Sequence, residues 1–119
     1  MGAVVCLFPG QGSQRVGMGR DLIDAFPVAR RTFAEVDERL GMSLSRLCFE
    51  GPEDELRLTE FAQPAILTAS VAAYRVLEET GFEAAALAGH SLGEWSAHVA
   101  AGTLTLAGWH VRRTQRNDR

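Results

Sequence analysis

The sequence predicts an α/β fold, a parallel β-sheet with covering helices. Two short apolar segments, residues 3–8 and 84–88, have the character of buried strands, and helical patterns fill the chain between them. A strand, crossover helices and a second strand form a right-handed unit. The two strands are therefore expected to be parallel members of one sheet.

The two predicted strands differ in composition. Residues 3–8 form a continuous apolar run that ends at Pro9-Gly10, which is typical of a strand buried on both faces of a parallel sheet. Residues 84–88 are rich in alanine, which prefers helices. Because they lie between Gly81 and Gly89, a short strand is the better interpretation.

Two helices are predicted after the first strand. One runs from about Gly19 to Phe26, and Pro27 opens the next, which ends with Gly41 as its C-cap. The second carries one apolar face: Ala29, Phe33, Val36 and Leu40. Both are expected to cover the sheet.

The rest of the helical stretch is uneven. Residues 44–57 are broken by Gly51-Pro52 and are predicted to be short helical pieces. Thr59 is expected to cap a long helix that ends at Gly81, with Pro64 tolerated in its first turn.

Composition indicates an ordinary globular protein. Hydrophobic residues make up 46% of the 119 residues and charged residues 23%, which suits one modest domain. No export signal, lipid anchor or membrane segment is visible, so a cytoplasmic location is expected. The basic tail, residues 109–119, is interpreted as a solvated face rather than a nucleic-acid site.

Several cofactor classes are disfavoured. All 12 basic residues are arginine, so the lysine of a phosphate-binding P-loop is missing. Cys6 and Cys48 are interpreted as reduced core residues. The three histidines are widely spaced and lack close cysteine or carboxylate neighbours, so no metal site is expected.

The segment Gly89-His90-Ser91-Leu92-Gly93 fits the G-x-S-x-G pattern of a nucleophile elbow. In isolation the pattern is more often a chance turn, but here it stands between a predicted strand and a predicted helix, residues 92–101. The turn is so sharp that a Cβ at either glycine would clash. Ser91 is thus the candidate nucleophile, and the Leu92 amide can donate to a developing oxyanion.

A second oxyanion donor is expected from the loop after the first strand. Gly10-Gln11-Gly12 is a small-residue loop able to bring the Gln11 amide close to Ser91. A dinucleotide-binding loop is the alternative, but Arg15 occupies the position of its third glycine.

Four segments together resemble the signatures of malonyl-CoA:acyl carrier protein transacylases and the related polyketide acyltransferase domains. They are Phe8-Pro9-Gly10-Gln11-Gly12-Ser13-Gln14, Gly17-Met18-Gly19, Gln63-Pro64-Ala65 and Gly89-His90-Ser91-Leu92-Gly93-Glu94. The resemblance extends from about residue 3 to Leu106. It implies an α/β-hydrolase-like acyltransferase subdomain of which residues 1–119 are the incomplete amino-terminal part.

The resemblance also implies site residues: Ser91 as the acylated nucleophile, the Gln11 and Leu92 amides as oxyanion donors, and Gln63 as a polar pocket residue. An arginine that pairs with the malonate carboxylate is implied as well. Arg116 stands at the matching place, and a guanidinium suits a carboxylate because it donates two parallel hydrogen bonds.

The tail departs from the family pattern. The family shows Arg-Gly at this point within an alanine- and leucine-rich helix, whereas here Asn117 follows Arg116. Arg112 and Arg113 are rival carboxylate ligands, and a solvated Arg116 is the other alternative.

No histidine here suits the role of general base. His90 precedes the nucleophile within the elbow, and His98 would lie about 10 Å down the same helix from Ser91. His110 would need an unusual fold-back. In the family the catalytic histidine lies well downstream, so the chain is expected to be a fragment.

The resemblance implies ping-pong transfer of malonyl from malonyl-CoA to the phosphopantetheine thiol of acyl carrier protein, in fatty-acid or polyketide synthesis. No cofactor is implied beyond the coenzyme A thioester substrate. The alternatives are a serine esterase of the α/β-hydrolase type, which needs no carboxylate-binding arginine, and an inactive fragment.

Overall fold

The computed structural model describes residues 5–10, 12–81 and 86–89. Within these ranges two strands enclose five helices in chain order. The elements are β1 (Val5–Phe8), α1 (Arg20–Ala25), α2 (Pro27–Leu40), α3 (Leu44–Glu50), α4 (Glu53–Leu56), α5 (Thr59–Glu79) and β2 (Ala86–Gly89).

The two strands pair in parallel, as the strand-helix-strand order predicts. Val5 stands opposite Ala86 at one end of the ladder, and Phe8 stands opposite Gly89 at the other. The predicted parallel sheet is therefore confirmed for this pair. Both strands end at the same edge, the carboxyl edge of the sheet.

One face of β1 is covered by α5. The Phe8 ring is buried and packs against Tyr74, with ring centroids 6.0 Å apart. Successive strand side chains point to opposite faces, and the neighbouring Leu7 is 78% exposed. Among the residues that the structure describes, only the Phe8 face of the strand end is covered, so the expected burial of this strand on both faces is not seen at Leu7.

The predicted helices α1 and α2 are confirmed nearly to the residue. Pro27 is the first residue of α2. A backbone N–H at that position has no intrahelical acceptor, so a proline there removes no helical hydrogen bond. Gly41 ends the helix with φ 66°, a left-handed C-cap. The break at Gly51-Pro52 also falls between α3 and α4 as predicted.

The start of α5 differs from the prediction. Its N-cap is Leu58, whose carbonyl accepts the amides of Phe61 and Ala62, so Thr59 is already the first helical residue. The preceding turn decides this, because the Leu58 amide donates to Glu55 at 3.1 Å. Pro64 lies beyond the first turn, not within it as predicted, and is buried inside the helix.

The core lies between α2, α3 and α5. Its fully buried side chains include Ala29, Leu44, Cys48, Leu56, Ala65, Leu67, Val71 and Ala72. A polar contact joins α2 to α5 beside this core: the Arg75 guanidinium donates to the buried Thr32 hydroxyl at 3.1 Å and lies 3.5 Å from Glu35. Because Thr32 in turn donates to the Val28 carbonyl, its buried hydroxyl is satisfied.

Candidate active site

The carboxyl edge of the sheet is where the two sequence motifs come together. Phe8 and Gly89 are paired residues at the ends of adjacent strands, and adjacent strands lie about 4.8 Å apart. Pro9 and Gly10 continue the chain from β1, and Gly89 is itself the first glycine of the G-x-S-x-G segment. The two predicted oxyanion segments therefore leave neighbouring strands at one edge.

The loop after β1 is closed by its own side chains. The Ser13 amide and hydroxyl both donate to the Gly10 carbonyl, at 3.4 and 2.9 Å. The Gly12 amide donates to the Gln14 Oε1 atom at 2.8 Å. Gly12 has φ 106°, in the left-handed region that favours glycine. The backbone rather than packing requires a glycine there, since a Cβ would meet nothing within 4 Å.

The segment after this loop is anchored to the helical core. The Gly17 amide donates to the Cys48 carbonyl at 2.7 Å. Gly19 has φ 82° and packs so closely on Phe33 that a Cβ would stand 2.7 Å from the ring Cζ. The Gly17-Met18-Gly19 motif thus fastens the loop to α2 and α3.

Gln63 lies in the first half of α5 and is half-buried. α5 meets the end of β1 further along the helix, where the Phe8 ring packs against Tyr74. The pocket role of Gln63 stays a prediction.

A cavity of about 360 Å³ lies between β1, the loop and α5. Its lining is mainly apolar, with hydroxyl groups from Ser13, Ser70 and Tyr74. The other lining residues are Leu7, Phe8, Pro9, Met18, Ile66, Ala69, Ala73 and Leu77. The cavity therefore joins the loop after β1 to the face of α5 that covers the strand.

Cys48 is not a second nucleophile. Its side chain is buried and reduced, as predicted. Burial raises the pKa of the Cys48 thiol to about 12, and the Asp37 carboxylate adds to the shift. Because the thiolate is the reactive form, this thiol is inert at neutral pH.

The described ranges offer neither a metal site nor a membrane span. Among those residues, no group of three or more His, Cys, Asp or Glu side chains is arranged to hold a metal ion. Nor is any helix there long and apolar enough to cross a membrane.

Four predicted site residues lie outside the described residues: Gln11, Ser91, Leu92 and Arg116. The same holds for the three histidines and for Arg112 and Arg113. Of the predicted site residues, only Gln63 lies within the described ranges, together with the ends of the two strands. The roles of Ser13 and Gln14 in closing the loop were missed, although short polar side chains beside glycine are a known signal for side-chain bonds to local backbone.

Comparison with known proteins gives a uniform result. The acyl transferase domain model matches residues 5–110. The malonyl CoA-acyl carrier protein transacylase of Bacillus subtilis strain 168 is 52% identical over 105 residues, which are 88% of this chain and 33% of that protein.

Solved structures of similar sequence also resemble this chain in fold. The acyl-carrier-protein S-malonyltransferase of Bartonella henselae superposes with a TM-score of 0.84 at 50% identity, covering 90% of this chain and 35% of its own. A malonyl-transacylase in complex with a holo type II polyketide acyl-carrier protein superposes with a TM-score of 0.85 at 50% identity, covering 89% of this chain and 35% of its own. The chain spans about a third of the length of these relatives. On the strength of the domain match and these similarities, it belongs to the acyl transferase domain family.

Proposed function

We propose that the protein containing this chain transfers a malonyl group from malonyl-CoA to the phosphopantetheine thiol of an acyl carrier protein. Support comes from relatives that are named for this reaction and from one solved in complex with a carrier protein. Fatty-acid and polyketide pathways both remain within the proposal, because relatives bear names from both.

The observation that carries the proposal is the strand register. Phe8 paired with Gly89 puts the loop of the first motif beside the start of the G-x-S-x-G segment. An elbow after β2 would lift Ser91 above the carboxyl edge, next to the Gln11 segment. Amides of Gln11 and Leu92 would then face one oxyanion from two sides.

The chemistry follows from that arrangement. The Ser91 oxygen attacks the thioester carbonyl, its proton passes to a histidine base, and the two amides stabilise the tetrahedral oxyanion. The carbon–sulfur bond then breaks, coenzyme A leaves as its thiol with the proton returned by the base, and malonyl-serine remains. The carrier thiol attacks this ester in the same way and regenerates Ser91.

The remaining site residues take binding roles in the proposal. Gln63 lines the pocket from α5, and Arg116 pairs with the free carboxylate of malonate, with Arg112 and Arg113 as rivals. The chain forms the amino-terminal part of the large, α/β-hydrolase-like subdomain. The base comes from the longer protein, since no histidine of this chain has suitable spacing to Ser91.

Mass spectrometry of the full-length protein tests the proposal. Mixed with malonyl-CoA alone, it should gain one malonyl group on the peptide that contains Ser91. The Ser91→Ala variant should gain nothing and keep its fold, because the side chain is small. Adding carrier protein should move the group to the carrier; rapid release of free malonate without transfer would show a serine esterase instead.

A further inference from the structure

Arg15 and Arg20 are exposed, and among the described residues neither side chain makes an ion pair or a hydrogen bond. Most other arginines in the same ranges do have a partner. Those that pair with a carboxylate are Arg31, Arg46, Arg57 and Arg75, and Arg30 donates to the Ile23 carbonyl. Arg15 and Arg20 therefore present positive charge that no described carboxylate pairs with.

The nearby carboxylates do not take up this charge. Asp24 stands four residues after Arg20 on α1, at ion-pair spacing, yet these two described side chains form no ion pair. Val16, next to Arg15, lies against the turn between α3 and α4, since its Cγ2 atom would be 3.1 Å from a Cβ at Gly51. The glutamates that flank this turn already have partners: Glu50 pairs with Arg46 at 2.9 Å, and Glu53 pairs with Arg57 at 3.3 Å.

Arg15 stands at the rim of the cavity beside β1. Ser13 and Met18, on either side of it in the chain, both line the cavity, whereas Arg15 itself is exposed. The Met18 amide donates to the Arg15 carbonyl at 3.1 Å, and the Arg20 amide donates to the Gly17 carbonyl at 3.3 Å. Because the first and fourth residues of such turns lie less than about 7 Å apart, both arginines belong to one short stretch of surface.

The stretch that carries the two arginines is held against the core. The Gly17 amide donates to the Cys48 carbonyl at 2.7 Å, and Gly19 packs closely on α2. At the other end, the bonds from Ser13 to the Gly10 carbonyl tie the stretch to the end of β1. A preordered backbone loses less entropy when a ligand binds. The arginine pair is therefore a fixed source of positive charge beside the carboxyl edge of the sheet.

The substrate of the proposed reaction is a polyanion whose charge is mostly phosphate. Coenzyme A carries its pyrophosphate and its 3′-phosphate at the end of the pantetheine arm remote from the thioester, so these groups bind away from the nucleophile. The chain has 15 acidic and 12 basic residues, a net charge of −3. Attraction of a polyanion must therefore come from local positive charge. A guanidinium suits a phosphate because it donates two parallel hydrogen bonds to its oxygens.

We infer that Arg15 and Arg20 bind the phosphate groups of coenzyme A when malonyl-CoA occupies the site. The inference rests on the proposed function, and it assigns a contact to the part of the substrate remote from the thioester. Neither arginine is placed at a reacting atom in this arrangement. Their removal should therefore weaken binding and leave the acylation step unchanged.

The test uses the double variant Arg15→Gln/Arg20→Gln of the full-length protein in single-turnover acylation. The malonyl-CoA concentration that gives half the maximal rate should rise about threefold to tenfold, as expected for the loss of two exposed charge pairs. The maximal rate should change less than about twofold. The malonyl thioester of N-acetylcysteamine has the same acyl group but no phosphate, so its half-saturating concentration should be unchanged.

Arg39→Gln is the matched control, because Arg39 is exposed, lies in the last turn of α2 and has no partner among the described residues. It removes one positive charge elsewhere on the surface and should leave both half-saturating concentrations unchanged. An unchanged malonyl-CoA value in the double variant would overturn the inference. Equal losses with the two thioesters, or an equal loss in Arg39→Gln, would overturn it as well.

The phosphodiester of the carrier protein's own arm is the other source of phosphate. A larger loss for carrier protein than for malonyl-CoA in the double variant would overturn the assignment to coenzyme A. Calorimetry with free coenzyme A needs no reaction: the double variant should bind it about threefold to tenfold more weakly, with a smaller difference at high salt. A wild-type protein that binds coenzyme A but forms no malonyl-serine would refute the proposed function, while the calorimetric comparison would still test the arginine pair.

Discussion

Replacing Gly19 by alanine probes the junction between the motif loop and the helical core. Gly19 has φ 82°, and an added Cβ would lie 2.7 Å from Cζ and 3.1 Å from Cε2 of Phe33. Left-handed backbone costs a non-glycine residue about 1–2 kcal/mol. Phe33 is only 2% exposed, so its ring has little room to move.

Displacing a packed ring adds about 1–3 kcal/mol. The sum predicts that Gly19→Ala lowers the free energy of unfolding by about 2–5 kcal/mol. Gly41→Ala is the matched control, because Gly41 has φ 66° and a Cβ added there would meet nothing within 4 Å. It should cost only the backbone part, about 1–2 kcal/mol.

Urea unfolding of the full-length protein, followed by circular dichroism, measures both variants. Phe33→Leu removes the ring atoms that the new Cβ would meet, so in that background the loss from Gly19→Ala should fall to the level of Gly41→Ala. Equal losses for Gly19→Ala and Gly41→Ala in the wild-type background would refute the packing argument.

Two further predictions concern Arg116, the proposed carboxylate ligand, and the buried thiol of Cys48. Arg116→Ala in the full-length enzyme should reduce malonyl transfer far more than acetyl transfer, because only the malonyl group has a carboxylate that would be left unpaired. Transfer rates are measured with both thioesters, and equal losses would show that Arg116 does not bind the malonyl carboxylate. Burial raises the pKa of the Cys48 thiol from 9.0 to about 12, so this thiol should resist iodoacetamide at pH 8 in the folded protein. The burial of the neutral thiol should contribute fully to the free energy of unfolding below pH 9. That contribution should be lost as the pH rises toward 12, because only the thiol of the unfolded chain ionises in that window. A Cys48→Ala variant should lack this part of the alkaline loss in pH-dependent urea unfolding.

Local features of the chain were predicted well where a single residue type carries the signal. Pro27 and Gly41 bound α2 as expected, since one presets φ and the other accepts a left-handed conformation. The predicted start of α5 was wrong. Thr59 is a residue type that favours the N-cap, but the turn from α4 places Leu58 at the N-cap position instead. A capping preference of about 1 kcal/mol is easily overridden by the backbone hydrogen bonds of the preceding turn.

The sequence by itself determined the order of the strands and helices, the break between α3 and α4, and the motif segments that indicate acyl transfer. These depend on residue type and spacing, which a linear chain carries in full. Only the tertiary structure decided that Phe8 pairs with Gly89, that Gly19 packs on Phe33, and that the Phe8 ring packs on Tyr74. Such contacts join residues distant in the chain or depend on which face a neighbouring helix covers, so no local propensity specifies them.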